Sequence, residues 1–241
     1  MELDDSLAEA HITLGMLKMF YEWDRPAARE QLLYALKLSP NNALAHDCYA
    51  LYLMNGGQRD ESIFHAKRAQ ELDPLSPYMN GEVGMAYYYA RQYDTALVHL
   101  NKALELDPNY IGAFNYLESV YEQKGQHAEA VAVWEKRLIF SGDKQAAESI
   151  AQTFATSGYK AAVEKRIEQL KERAKQSYVR PLEFAYNYAR LGDKRQAMDW
   201  LKKALEEKSP LLIRIKVEPR WDSFRSDPEF QEILRKMNLE P

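Results

Sequence analysis

Cysteine is almost missing from this chain. Cys48 stands alone, so no disulfide can form within it, which fits a reducing compartment. Histidine is scarce and scattered: His11, His46, His65, His99 and His127 form neither an H-E-x-x-H run nor a Cys/His cluster with zinc spacing. The nearest approach, His46-Asp47-Cys48, puts neighbours about 100° apart on a helix, so they do not converge on one ion. No apolar run nears the ~18 residues a membrane-spanning helix needs. The opening MELDDSLAEAH is acidic and lacks the apolar core of a signal peptide. Insertion into a membrane is therefore not expected, and the expected location is cytoplasmic, or periplasmic within a membrane-anchored parent. Glycine-rich phosphate loops and the G-x-S-x-G elbow are missing too. These absences lead to the expectation of a non-enzyme with no catalytic residue, metal or cofactor.

Positive charge is not in excess either. The net charge is −4, which argues against direct binding of nucleic acid. The sign is unevenly spread: residues 1–159 carry 13 basic and 22 acidic side chains, residues 160–241 carry 19 and 14. Solvated helix faces account for most such charge. Glycine and proline are few, at 10 each, whereas tyrosine reaches 16 and Ala, Leu, Glu and Lys abound, a mix that leans towards helix.

What is present is a beat. The stretches ALKLSP, AQELDP and ALELDP end on Pro40, Pro74 and Pro108, each 34 residues after the last. Ala35, Ala69 and Ala103 keep the same phase, as do Leu38, Leu72 and Leu106. A fixed interval of this size is the mark of stacked repeats. Within residues 77–108, Val83, Met85, Ala86, Tyr87 and Ala90 suit one packed helix, ARQYD suits a turn, and Ala96, Leu97, Leu100, Ala103 and Leu104 recur at helical spacing in a second. Proline, and the bias of the residue before it against helix, ends each pair.

Gly84, Tyr87, Ala96, Leu100, Ala103 and Pro108 resemble the pattern of the tetratricopeptide repeat (TPR). The unit at 43–76 matches through Tyr49, Ala50, Gly57, Ala66, Ala69 and Pro74, with Ser62 where alanine is usual. The unit at 111–144 has Gly142 in place of the proline, and the units at 145–177 and 178–210 are more degenerate, the last keeping Tyr188, Gly192, Ala197, Leu201 and Ala204. With the first unit at 8–42, the resemblance implies an all-α chain: one right-handed α-α superhelix over residues 1–241, about six helix pairs, closed by capping helices in 211–241. In that cap Asp227 suits an N-cap, Pro228 the first turn, and Trp221, Phe224 and Phe230 the cover of an otherwise bare end. The tail KVEPRWDSFRSDPEFQEILRKMNL also resembles the closing segment of TPR regions in bacterial signalling proteins with winged-helix, Ser/Thr kinase or cyclase domains, none of which lies in this chain.

In a TPR stack the first helix of each pair lines the concave side. Repeat phase then assigns a groove to Met16, Met19 and Phe20; Leu51, Met54 and Asn55; Met85, Tyr88 and Tyr89; Asn115, Ser119 and Glu122; and Tyr186 and Arg190. Its first half is rich in methionine and aromatics, which adapt well to a peptide or partner helix, although such stripes also serve as core. TPR clamps for C-terminal carboxylates use cations, but the matching positions here are Asp47, Leu51, Gly81, Met85, Asn115 and Ser119. The expected function is a protein-interaction scaffold for a protein or peptide, within a bacterial signalling protein. The alternative is self-association as a homo-oligomer, or a structural or regulatory module for an attached output domain, without a separate ligand.

Overall fold

The computed structural model describes residues 5–239. Among them are twelve α-helices and no strand. The 34-residue beat is visible in the helix limits. Second helices of successive pairs run α2 Arg25–Leu38, α4 Arg59–Leu72, α6 Tyr93–Leu106 and α8 His127–Phe140, so both ends keep step. First helices α3 Ala43–Asn55, α5 Pro77–Tyr89 and α7 Ile111–Gln123 do the same, after α1 Asp5–Leu17. The starts are fixed by capping: the side chains of Asn42 and Ser76, one repeat apart, accept from the amides of Ala45 and Met79.

Chain contacts divide into two compact units, the boundary falling within α7 after Ala113. The first unit takes residues up to Ala113, Ile213–Pro219 and the chain from Leu234; the second takes Phe114–Leu212 and Arg220–Ile233. In the first, α1 packs on α2, α3 on α4 and α5 on α6, with α3 also against α1 and α5. The seams are made of small and branched residues in phase: Ala28, Leu32 and Ala35, then Ser62, Ala66 and Ala69, then Ala96, Leu100 and Ala103, all buried. Ser62 is tolerated where alanine is usual because its hydroxyl donates to the carbonyl of Ala50, 2.9 Å away. Gly84 allows a close approach: a Cβ there would lie 2.6 Å from Leu100 Cγ.

In the second unit, α9 covers Lys144–Ala174 but is two helices, broken at Gly158 by φ of 79° and ψ of −176°, a conformation open to glycine alone. This break supplies the degenerate fifth pair expected from the sequence. The sixth is α10 Pro181–Leu191 and α11 Lys194–Glu206, joined at Gly192. Two 3₁₀ segments follow, Pro210–Lys216 and Pro219–Phe224, and then α12 Pro228–Lys236. Asp227 does cap α12, its carboxylate accepting from the amide of Glu229 at 2.8 Å. Trp221, Phe224 and Phe230 are buried in the second unit, Trp221 against Tyr186, Phe224 and Phe230. They are core, with no pocket-forming surface of their own.

Candidate functional site

In the first unit the residues assigned from repeat phase lie on α1, on the π-helical turn Lys18–Glu22 that follows it, and on α3 and α5. Met16 and Phe20 are half-buried. Met19, Leu51, Met54, Asn55, Met85, Tyr88 and Tyr89 are buried, with the Asn55 amide donating to the Met19 sulfur. The surprise is what covers this face. The short segment Ile213–Pro219 belongs to the first unit although the chain on either side of it belongs to the second. Tyr88 Oη donates to Glu218 Oε1, and Tyr89 Oη donates to Glu218 Oε2 at 3.3 Å. Arg91 Nη1 donates to the carbonyl of Val217 at 3.1 Å and to that of Tyr89 at 2.9 Å. Ile213, Ile215 and Val217 are buried beside these contacts, and Glu218 is 4% exposed.

Arg214 of the same segment acts electrostatically on two acids. Asp47, buried on α3, accepts from the Tyr78 hydroxyl at 2.7 Å. Burial pushes its carboxyl up to about 6, with the Tyr78 hydrogen bond and Arg214 opposing. Glu82 on α5 is pushed up to about 8, by burial first and by Asp47 second, again with Arg214 opposing. Both are raised, so both favour the folded state in their protonated form. Their contribution is full below the ordinary carboxylate range and is lost as pH rises through about 6 and then about 8. Thermal stability should therefore fall between pH 5 and 8.5, by roughly 5 °C. In the double variant Asp47→Asn, Glu82→Gln this part of the fall should disappear, as differential scanning calorimetry across that range would register.

The second unit presents a different chemistry at its assigned positions. Asn115 is exposed. Ser119 is buried; its hydroxyl donates to the Asn115 carbonyl and accepts from Arg220 Nη2 at 3.0 Å. Glu122 accepts from Arg190 at 2.6 Å, Tyr159 at 3.0 Å and Arg220 at 3.2 Å. The Arg220 guanidinium lies 4.6 Å from the centre of the Tyr186 ring. Arg190 also donates to Glu118, which in turn holds Arg137 at 2.5 Å and Arg166 at 3.0 Å. Burial pushes the Glu118 carboxyl up, but Arg166, Arg190, Arg137 and Arg220 together outweigh it and hold the group well below the usual carboxylate range. The cluster is a largely buried ion network whose members come from α7, α8, α9, α10 and the second 3₁₀ segment.

Two models of the tetratricopeptide repeat match the chain, at residues 82–110 and 182–209. Those two stretches are tetratricopeptide repeats. Among curated proteins, interferon-induced protein with tetratricopeptide repeats 2 of Mus musculus is 29% identical over 147 residues, 58% of this chain. The TPR match spans 30% of that relative's length. Two solved TPR-like structures resemble nearly the whole chain: pilF of Pseudomonas aeruginosa, at TM-score 0.58 and 19% identity, covering 96% of this chain and 98% of that one, and PilW, a widely conserved type IV pilus biogenesis factor, at TM-score 0.58 and 19% identity, covering 94% and 98%. At this identity the likeness is one of fold. No helix among the described residues is long and apolar enough to cross a membrane, and no group of three His, Cys, Asp or Glu among them is placed to hold a metal ion.

Proposed function

We propose that the chain is a protein-interaction scaffold whose first unit takes a short peptide segment of a partner on the face formed by α1, α3 and α5. The observation that carries this reading is the seating of Ile213–Pro219 against the end of α5, at Tyr88, Tyr89 and the adjoining Arg91. A stretch of polypeptide distant in sequence is held there by its aliphatic side chains, one carboxylate, one backbone carbonyl and one cation. A face that accommodates such a segment has the pockets and donors that peptide recognition requires. The TPR repeats support scaffolding as the general role, and the resemblance of the closing segment supports a place in a bacterial signalling or regulatory protein.

The reading is tested by position. A photo-crosslinking phenylalanine analogue is placed at Met16 or Phe20, and separately at Phe64, which is 65% exposed on α4. In the cells that make the protein, positions 16 and 20 should crosslink to a discrete partner protein and position 64 should not. Crosslinking from position 64 with none from 16 and 20 would move the interaction to the other side of the helix pairs.

A further inference from the structure

The segment Ile213–Pro219 has a composition that matches its surroundings side chain for side chain. It is a short 3₁₀ stretch with aliphatic residues at 211, 212, 213, 215 and 217. At three residues per turn these point to every side, so the stretch must be enclosed rather than laid on a surface. Leu212, Ile213 and Ile215 are indeed fully buried. Two of its polar groups are met directly, Glu218 by the hydroxyls of Tyr88 and Tyr89 and the Val217 carbonyl by Arg91, while Arg214 acts electrostatically on Asp47 and Glu82. Asp47 and Glu82 are acids retained on a covered face although burial disfavours their charge.

We propose that Ile213–Pro219 is an internal ligand: it occupies the peptide face of the first unit in the resting chain and gives way to a partner segment of the same chemistry. That partner is a protein bearing aliphatic–Arg–aliphatic–x–aliphatic–Glu in a short turn-forming stretch. The arginine acts electrostatically on Asp47 and Glu82, and the glutamate meets Tyr88 and Tyr89. The inference rests on the peptide-face reading above and adds a block to it. Because the segment is tied into the chain on both sides, it competes at an effective concentration in the millimolar range. A free segment of equal intrinsic affinity is then excluded until the internal one is released.

Release needs few contacts to be lost. Glu218→Ala removes the acceptor shared by two tyrosines, one of them, Tyr88, wholly buried. Val217→Asp, a second route, sets a carboxylate among aliphatic neighbours. Trypsin reports release directly, because the bonds after Arg214 and Lys216 lie inside the segment.

The experiment uses the full chain and a fluorescein-labelled peptide of residues 211–220, LLIRIKVEPR, followed by polarisation. Both variants should be cut after Arg214 and Lys216 at least tenfold faster than the parent. Both should bind the peptide at least tenfold more tightly than the parent does. A peptide with glutamate in place of the arginine at 214 should bind at least tenfold more weakly to the variants. Equal binding to parent and variants, abolished by Tyr89→Ala, would overturn the block and leave the peptide face standing. No binding to variants that trypsin cuts freely would overturn the peptide face itself. If neither variant is cut faster than the parent, the segment is a fixed part of the fold and the proposal fails.

Discussion

Glu118→Gln is expected to be the most damaging single substitution in the chain. Glu118 is 3% exposed and carries ion pairs to Arg137, Arg166 and Arg190. The amide keeps the size of the side chain and removes only the charge, so packing is conserved. What remains is three guanidinium groups around a neutral centre, with Glu122 as the nearest balancing charge for Arg190 and Arg220. Breaking one partner out of such a buried network costs about 3–5 kcal/mol. That corresponds to a fall in melting temperature of roughly 10 °C in a chain of this size. The sign is unusual in one respect. Because Glu118 is held below the usual carboxylate range, its contribution is present above that range and lost as pH falls through it, opposite to Asp47 and Glu82. The penalty of Glu118→Gln should therefore be large at pH 7 and shrink towards pH 3. Urea titrations monitored by tryptophan fluorescence would show it, since Trp134 lies 4.6 Å beneath Arg166. Adding Arg166→Met to Glu118→Gln should recover part of the loss by removing one stranded cation. A double variant less stable than the single would mean that Arg166 stabilises through packing on Trp134 rather than through charge.

Trp221→Ala is expected to cost nearly as much, by a different route. The indole is wholly buried, with ring centres 5.1 Å from Phe224, 5.8 Å from Tyr186 and 6.1 Å from Phe230. Truncation leaves a cavity the size of a bicyclic ring between 3₁₀ backbone, α10 and α12, and none of these can close over it without moving the others. A loss of about 3–5 kcal/mol follows. Exposed apolar surface should also promote aggregation on heating, because the second unit would lose the aromatic cluster that covers its last helix pair. Leu75→Ala, at a residue 77% exposed, should stay within about 0.5 kcal/mol of the parent. Static light scattering during a thermal ramp separates the two variants. Unchanged melting of Trp221→Ala would show that the tail is not part of the second unit's core.

The fold was largely written in the sequence. Three prolines and their flanking alanines gave a period that the helices α2 to α8 follow at both ends, because each small residue marks a seam where backbones approach. Even the degenerate fifth pair was legible through Gly158, whose left-handed backbone turns the chain inside α9. Repeat phase alone also places Met54, Tyr88 and Tyr89 on the first helices of their pairs.

What covers them was not legible. Glu218 lies 130 residues from Tyr88 in the chain, and nothing periodic connects them. The tail was expected to close the end of the stack, and Trp221, Phe224 and Phe230 serve the second unit in that sense. Residues 213–219, however, join the first unit. The available signal was compositional: a short stretch with aliphatic side chains on all sides of a 3₁₀ turn has to be enclosed by something. Likewise nothing in the sequence singles out Glu118 or the arginines at 137, 166 and 220, and Glu122 and Arg190, assigned to the groove by repeat phase, gave no sign of pairing, since only the packing of separate elements brings these charges together.

Amide hydrogen exchange of the native chain tests the releasable segment most directly. Residues 213–219 should exchange more slowly than in the free peptide LLIRIKVEPR, yet through an opening well below that of α3 and α5, so that they become labelled while the helices beneath remain protected. If instead their amides exchange only together with α3 and α5, in one global unfolding event, the segment is a permanent part of the core and no partner takes its place.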